Sequence, residues 1–146
     1  MPHKSRAKHS RSRQFAALAF KYQDNETFIM LVTSRETGRW VLPKGWAEKS
    51  LTGPDLAAKE AFEEAGIRGQ AMKKPVGSYQ YLKRLPKGRD VECEVEVFPL
   101  RVETVLDDWP ERKQRQRQWF TLAQAALAVD EGDLATLLLR LAAPNS

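Results

Sequence analysis

The stretch that most constrains this chain runs from Leu42 to Ile67 and reads LPKGWAEKSLTGPDLAAKEAFEEAGI. Thr52 or Gly53 suits a helix N-cap, Pro54 has the fixed φ of a first turn, and Gly66 supplies the left-handed residue that ends a helix. The text therefore predicts a helix of about three turns, clamped between two loops. Three glutamates, Glu60, Glu63 and Glu64, recur at spacings of three and four, which places them on one side of it. The same rotation sends Ala58, Ala61, Phe62 and Ala65 to the opposite side, expected to face the core. Carboxylates about 5–6 Å apart repel by about 0.7 kcal/mol per pair in water, and by about 3 kcal/mol at an effective dielectric of about 20. Exposed, the trio is an ordinary solvated face; sheltered, it calls for a cation.

The rest of the chain limits what that helix belongs to. A length of 146 residues is enough for one domain with a real core, and 42% hydrophobic residues fits a globular protein. No apolar run approaches a membrane span. The opening MPHKSRAKHSRSRQ is basic and lacks the apolar segment of a secretory signal. Residues 1–10 are expected to form a flexible basic tail and 11–146 the folded domain. Cys93, the single cysteine, excludes an internal disulfide and a zinc pattern, and a cytoplasmic setting is the expectation. A net charge of +5 favours polyanionic partners: nucleic acid, acidic lipid or a phosphate-rich small molecule.

Strands are expected over Phe15–Tyr22 and Thr27–Thr33, joined as a hairpin by the polar residues 23–26, and again from Val76 to Arg84, ending in the turn Leu85-Pro86-Lys87-Gly88. The next strand alternates Val91, Cys93, Val95 and Val97 with Glu92, Glu94 and Glu96, which reads as one buried and one wet face. Thr121 with Gln124 has the form of a capping box. Asp133 then starts a helix whose Leu134, Leu137, Leu138 and Leu141 recur at helical spacing, a stripe for core packing. Strands, one central helix, more strands and C-terminal helices make an α/β sandwich with a mixed β-sheet.

The spacing of the central stretch closely resembles the Nudix box, G-x5-E-x7-R-E-U-x-E-E-x-G-U, where U is bulky and aliphatic. Gly45, Glu60, Glu63, Glu64, Gly66 and Ile67 match; Leu51 and Lys59 replace the usual glutamate and arginine, and Glu48 with Lys59 is the expected substitute ion pair. The resemblance, from about Arg11 to Leu141, implies a Nudix-type α/β/α sandwich and metal-dependent hydrolysis of a diphosphate linkage with Mg²⁺ or Mn²⁺. It implies Glu60, Glu64 and Glu63 as metal ligands with the Lys44 carbonyl, and Glu63 or Glu60 in the catalytic role. A further carboxylate from outside the box occurs in some of the family; Glu92, Glu94 and Glu96 do not single one out.

Within that family the chain is similar to diphosphoinositol polyphosphate phosphohydrolases, through Ser34-Arg35, the EEAGI end of the box, Leu106-Asp107-Asp108-Trp109 and Arg115-Gln116-Arg117-Gln118-Trp119-Phe120. That likeness implies substrate contacts from Arg13, Ser34, Arg35, Arg89, Arg115 and Arg117. Diadenosine polyphosphate hydrolases are similar too, and an adenine ring would want a platform among Trp46, Tyr79, Tyr81 and Trp109. The different class is an RNA 5′-pyrophosphohydrolase or a non-catalytic RNA-binding protein using its basic runs. Exposed aromatics do not interleave those runs, which tells against a nucleic-acid module. A monomer or a homodimer fits equally.

Overall fold

The protein is described here, as a computed structural model, over residues 12–144; the expected tail, residues 1–10, and Arg11 lie outside that range. The strands are β1 (Arg13–Gln23), β2 (Glu26–Thr33), β3 (Trp40–Val41), β4 (Lys44–Trp46), β5 (Ile67–Ala71), β6 (Gly77–Leu85), β7 (Arg89–Val105) and β8 (Arg117–Thr121). They form a sheet of order β3-β2-β1-β7-β5, with β4 on β1, β6 on β7 and β8 on β2. The helices are α1 (Gly53–Ala65), α2 (Leu122–Ala128) and α3 (Gly132–Ala142).

Asp24 and Asn25 both take positive φ, 54° and 63°, the backbone a two-residue hairpin turn requires, so β1 and β2 pair antiparallel. β1 also runs parallel to β7, from Arg13 opposite Glu94 to Phe20 opposite Arg101, which makes the sheet mixed. Along β1 the side chains alternate between two cores. Ala16, Leu18 and Phe20 pack with Leu134, Leu137 and Leu138 of α3, and Ala17 and Ala19 with Ala57, Ala61 and Ala65 of α1. Helices therefore cover both faces, the α/β/α sandwich expected. The β7 alternation holds: Cys93, Val95 and Val97 are buried, while Glu92 and Glu94 are exposed. Thr121 and Gln124 close the capping box of α2, and Leu141 packs at the edge of the core that buries the other three leucines. No helix among the described residues is long and apolar enough to cross a membrane.

One expectation is corrected. The buried side of α1 carries Leu56, Ala57, Ala61, Glu64 and Ala65, whereas Ala58 and Phe62 are half-buried. The small side chains at 57, 61 and 65 let the helix sit close on the sheet, and this turns the apolar side toward Glu64. Phe62 instead lies under the Arg68 guanidinium, 4.4 Å from its ring centroid.

Candidate active site on the box helix

α1 is fixed at both ends. Thr52 Oγ1 accepts from the Asp55 N–H at 3.2 Å, and Gly66 closes the helix with φ 66°. In front of the helix, β4 pairs with the start of β1, Gly45 opposite Phe15. A Cβ built on Gly45 would lie 2.6 Å from Glu60 Oε2, so the residue is glycine because the carboxyl occupies that space.

Glu60 and Glu64 approach closely enough to hydrogen-bond through their carboxyl groups. Two carboxylates cannot both be ionised there at low cost. Burial first, then the bond to Glu60, pushes Glu64 up to about 8, with Arg115 partly opposing. Burial also raises Glu60. Glu64 is only 5% exposed. Both line a cleft of about 330 Å³ with Lys44, Trp46, Glu111 and Arg115. Glu63, expected beside them, is half-buried and does not line the cleft; on a helix it sits 60° to the other side of Glu60 from the buried face.

The basic side chains divide. Ser34 and Arg35, on the loop after β2, line the cleft, and Arg35 Nη1 donates to Gln114 Oε1 at 3.1 Å. Arg115 also lines it but is committed: Nε donates to Glu111 Oε1 at 2.6 Å, Nη1 to the Thr33 carbonyl at 3.0 Å, and Nη2 lies 3.6 Å from Glu64 Oε2. Arg13 pairs with Glu96 at 3.6 Å, and Arg89 is exposed at the end of β6 and β7; neither lines the cleft. Arg117 is also elsewhere. Its Nη1 donates to the Ala65 carbonyl at 2.8 Å and Nη2 to Leu106 at 2.7 Å, with the guanidinium 3.8 Å above the Trp109 ring. Trp109 Nε1 donates to the Glu64 carbonyl at 3.1 Å, the Glu111 N–H to Glu63 and the Leu106 N–H to Gly66. The segment 106–117 thus caps successive carbonyls at the end of α1, which a helix leaves unpaired.

Sequence reasoning missed the side chain of Lys44, having looked only at its carbonyl. The ammonium lies 5.0 Å from the Tyr81 ring centroid, and burial lowers its pKa against the pull of Glu131 and Glu64. It also missed Glu111, which like Glu36 lies outside the box and reaches the cleft; Glu92, Glu94 and Glu96 do not line it. No local spacing signals either one. Of the four aromatic platforms, Trp46 is exposed at the cleft, Tyr81 lies under Lys44, Tyr79 is buried and Trp109 lies under Arg117. The substitute pair is present, Lys59 Nζ to Glu48 Oε2 at 3.4 Å.

Among the described residues no three His, Cys, Asp or Glu side chains converge as a metal cage. Glu60 and Glu64 nevertheless suit a hard cation that takes few protein ligands and keeps its water, because a positive charge between their oxygens relieves the cost of ionising both.

A three-layer sandwich with this loop-helix-loop site defines a known fold class. A C. elegans Ap4A hydrolase binary complex matches it with a TM-score of 0.67 at 16% identity, covering 90% of this chain and 95% of that one. The NUDIX domain of Shewanella oneidensis NrtR complexed with ADP ribose matches at 0.60 and 14% identity, covering 94% and 92%. The family model of the NUDIX domain matches residues 12–141, and the chain belongs to the Nudix family. Nudix hydrolase 12, mitochondrial, of Arabidopsis thaliana is 35% identical over 104 residues, 69% of this chain and 51% of that protein. Diphosphoinositol polyphosphate phosphohydrolase 3-beta of Bos taurus is 28% identical over 112 residues, 75% and 64% respectively. The chain spans about half the length of the first of these relatives.

Proposed function

We propose that this chain is a pyrophosphohydrolase that cleaves a diphosphate linkage in a highly phosphorylated small molecule, a diphosphoinositol polyphosphate or a diadenosine polyphosphate. The observation that carries the reading is Glu64, a carboxyl 5% exposed beside Glu60 in a cleft that also holds Lys44 and Arg35. A buried carboxyl pair costs stability in the free protein, and function at such sites is the usual reason for one. Names borne by the relatives, Nudix hydrolase and diphosphoinositol polyphosphate phosphohydrolase, agree with it.

Glu60 and Glu64 would hold Mg²⁺ or Mn²⁺, which when bound neutralises phosphate oxygens and lowers the pKa of an attacking water. Lys44 and Arg35 bring positive charge to the same oxygens. Arg115 ties Glu64, Glu111 and Thr33 into one rigid set, which holds the cleft carboxylates for the reaction. Water adds to one phosphorus, the bridging P–O bond breaks, and two phosphate-bearing products leave. Beyond Arg35 a basic chamber of about 460 Å³, lined by Arg112 and Lys113, offers room for further phosphates.

The test is turnover of diadenosine hexaphosphate and of an inositol pyrophosphate in Mg²⁺ and in Mn²⁺. Glu64→Gln is expected to keep the fold and lose activity by roughly 100-fold or more. Unchanged activity in that variant overturns the reading.

A further inference from the structure

We infer that Glu131 is a positioning residue for the cation site: it holds the Lys44 ammonium back from Glu64 and so leaves the Glu60–Glu64 pair open to a metal ion. The inference rests on the hydrolase reading above, in which that pair takes the cation, and adds to it a residue from the opposite layer of the fold.

Three carboxylates gather at the start of α3. Asp130 is paired with Arg39 Nε at 3.1 Å, and Asp133 Oδ2 accepts from the Gln80 N–H at 2.7 Å, tying the helix to β6. Glu131 stands at the N-cap, yet its side chain bonds no N–H of the helix. Its Oε1 is instead buried, with no hydrogen-bond partner among the described residues. Buried acceptors are nearly always paired, so the placing of this one calls for a reason outside the helix. The Tyr79 hydroxyl, likewise buried and unpartnered, is neutral and leaves the charge of Glu131 unbalanced.

Lys44 supplies the opposite charge. In the β4–β1 pairing it lies opposite Ala16, and directly opposed residues share a sheet face. Ala16 packs with Tyr79 in the core under α3, so the lysine side chain leaves the sheet on that side, where it lines one cavity with Glu131. From the α1 side comes Glu64, which lines the cleft with Lys44. The ammonium thus stands between two carboxylates, and among the described residues it is in ion-pair contact with neither. Burial lowers its pKa, and of the two carboxylates that oppose this Glu131 acts more strongly than Glu64. Burial raises Glu131, and Lys44 is the foremost charge opposing that rise, ahead of Arg39, which is committed to Asp130, and of Lys83. A buried ammonium without a counter-charge is costly. With Glu131 neutral, the flexible lysine chain has Glu64 as its remaining partner. Glu64 already has Arg115 at 3.6 Å; a second internal cation drawn onto it takes the oxygens a metal ion needs.

Mn²⁺ titrations of the full chain without substrate, followed by electron paramagnetic resonance, test this. Glu131→Gln keeps the shape of the side chain and is expected to bind Mn²⁺ ~10-fold more weakly than wild type, with an unchanged melting curve. Lys44→Met alone is expected to bind no more weakly than wild type. In the Lys44→Met background, Glu131→Gln is expected to change affinity by less than ~2-fold, because no ammonium remains to move. Asp130→Asn, a loss of charge one residue away, is expected to leave Mn²⁺ affinity as it was. Wild-type affinity in Glu131→Gln, the same loss with and without Lys44, weaker binding by Lys44→Met, or an equal loss in Asp130→Asn overturns the inference. The two readings fail separately. Mn²⁺ binding absent from wild type, or unchanged in Glu64→Gln, sinks the metal reading of the pair and this inference with it. Binding lost in Glu64→Gln yet indifferent to Glu131→Gln sinks only the positioning role.

Discussion

At Glu64 a single carboxyl carries opposite demands. Its folded pKa, about 8, lies above the ordinary carboxylate value because burial disfavours the charge. The linkage sign follows: the protonated form belongs to the fold, so this group's contribution is complete below about pH 4.5 and is lost as pH rises through about 8. Metal-free protein is therefore expected to unfold at lower urea concentration at pH 8.5 than at pH 5.5. Glu64→Gln should flatten that difference; an identical slope in wild type and variant would count against a buried proton. Gly45 is the other single-residue lever. Gly45→Ala puts a methyl where Glu60 Oε2 now lies, and a flexible side chain will yield before the strand does. The expected outcome is an intact melting curve with Mn²⁺ affinity reduced ~10–100-fold, measured by electron paramagnetic resonance. The burial of Glu64 was not legible in the sequence. Spacing put three glutamates on one side of a helix, but which side the sheet covers depends on how closely Ala57, Ala61 and Ala65 let it approach.

The box helix shows what local sequence can and cannot convey. Its start and stop are legible because Thr52, Pro54 and Gly66 act on their own backbone. Its far support is not, since 106–117 meets it only through the fold. Arg117 looked like a substrate contact by position in the chain, and its guanidinium instead bonds the Ala65 and Leu106 carbonyls. Arg117→Ala is accordingly expected to cost about 2–4 kcal/mol in urea unfolding, with KM changing no more for an inositol pyrophosphate than for a dinucleotide. A selective rise in KM for the more phosphorylated substrate, with stability retained, would give Arg117 back its substrate role.

For the molecule as a whole, layers and most strands follow from alternation and helical period, while strand order does not: β1 meets β7 with Arg13 opposite Glu94, a pairing no local pattern announces. Charge acts at this scale as well. A +5 chain taking a polyanion should show KM rising with ionic strength, since screening shortens to ~3 Å in about 1 M salt. A KM independent of salt between 0.05 and 0.5 M, measured by initial rates, would mean that contact geometry alone holds the substrate.

β7 accepts β1 along one edge and both β5 and β6 along the other. On a ribosome this sets an order of events. The first strand has no lasting neighbour on that edge until Arg101 has emerged, and the box helix can form before 106–117 exists to cap its carbonyls. The carboxyl pair thus gains Arg115 and Glu111 beside it late, after most of the chain has been made, so a nascent chain shortened before residue 106 carries the whole box and yet leaves the end of its helix open.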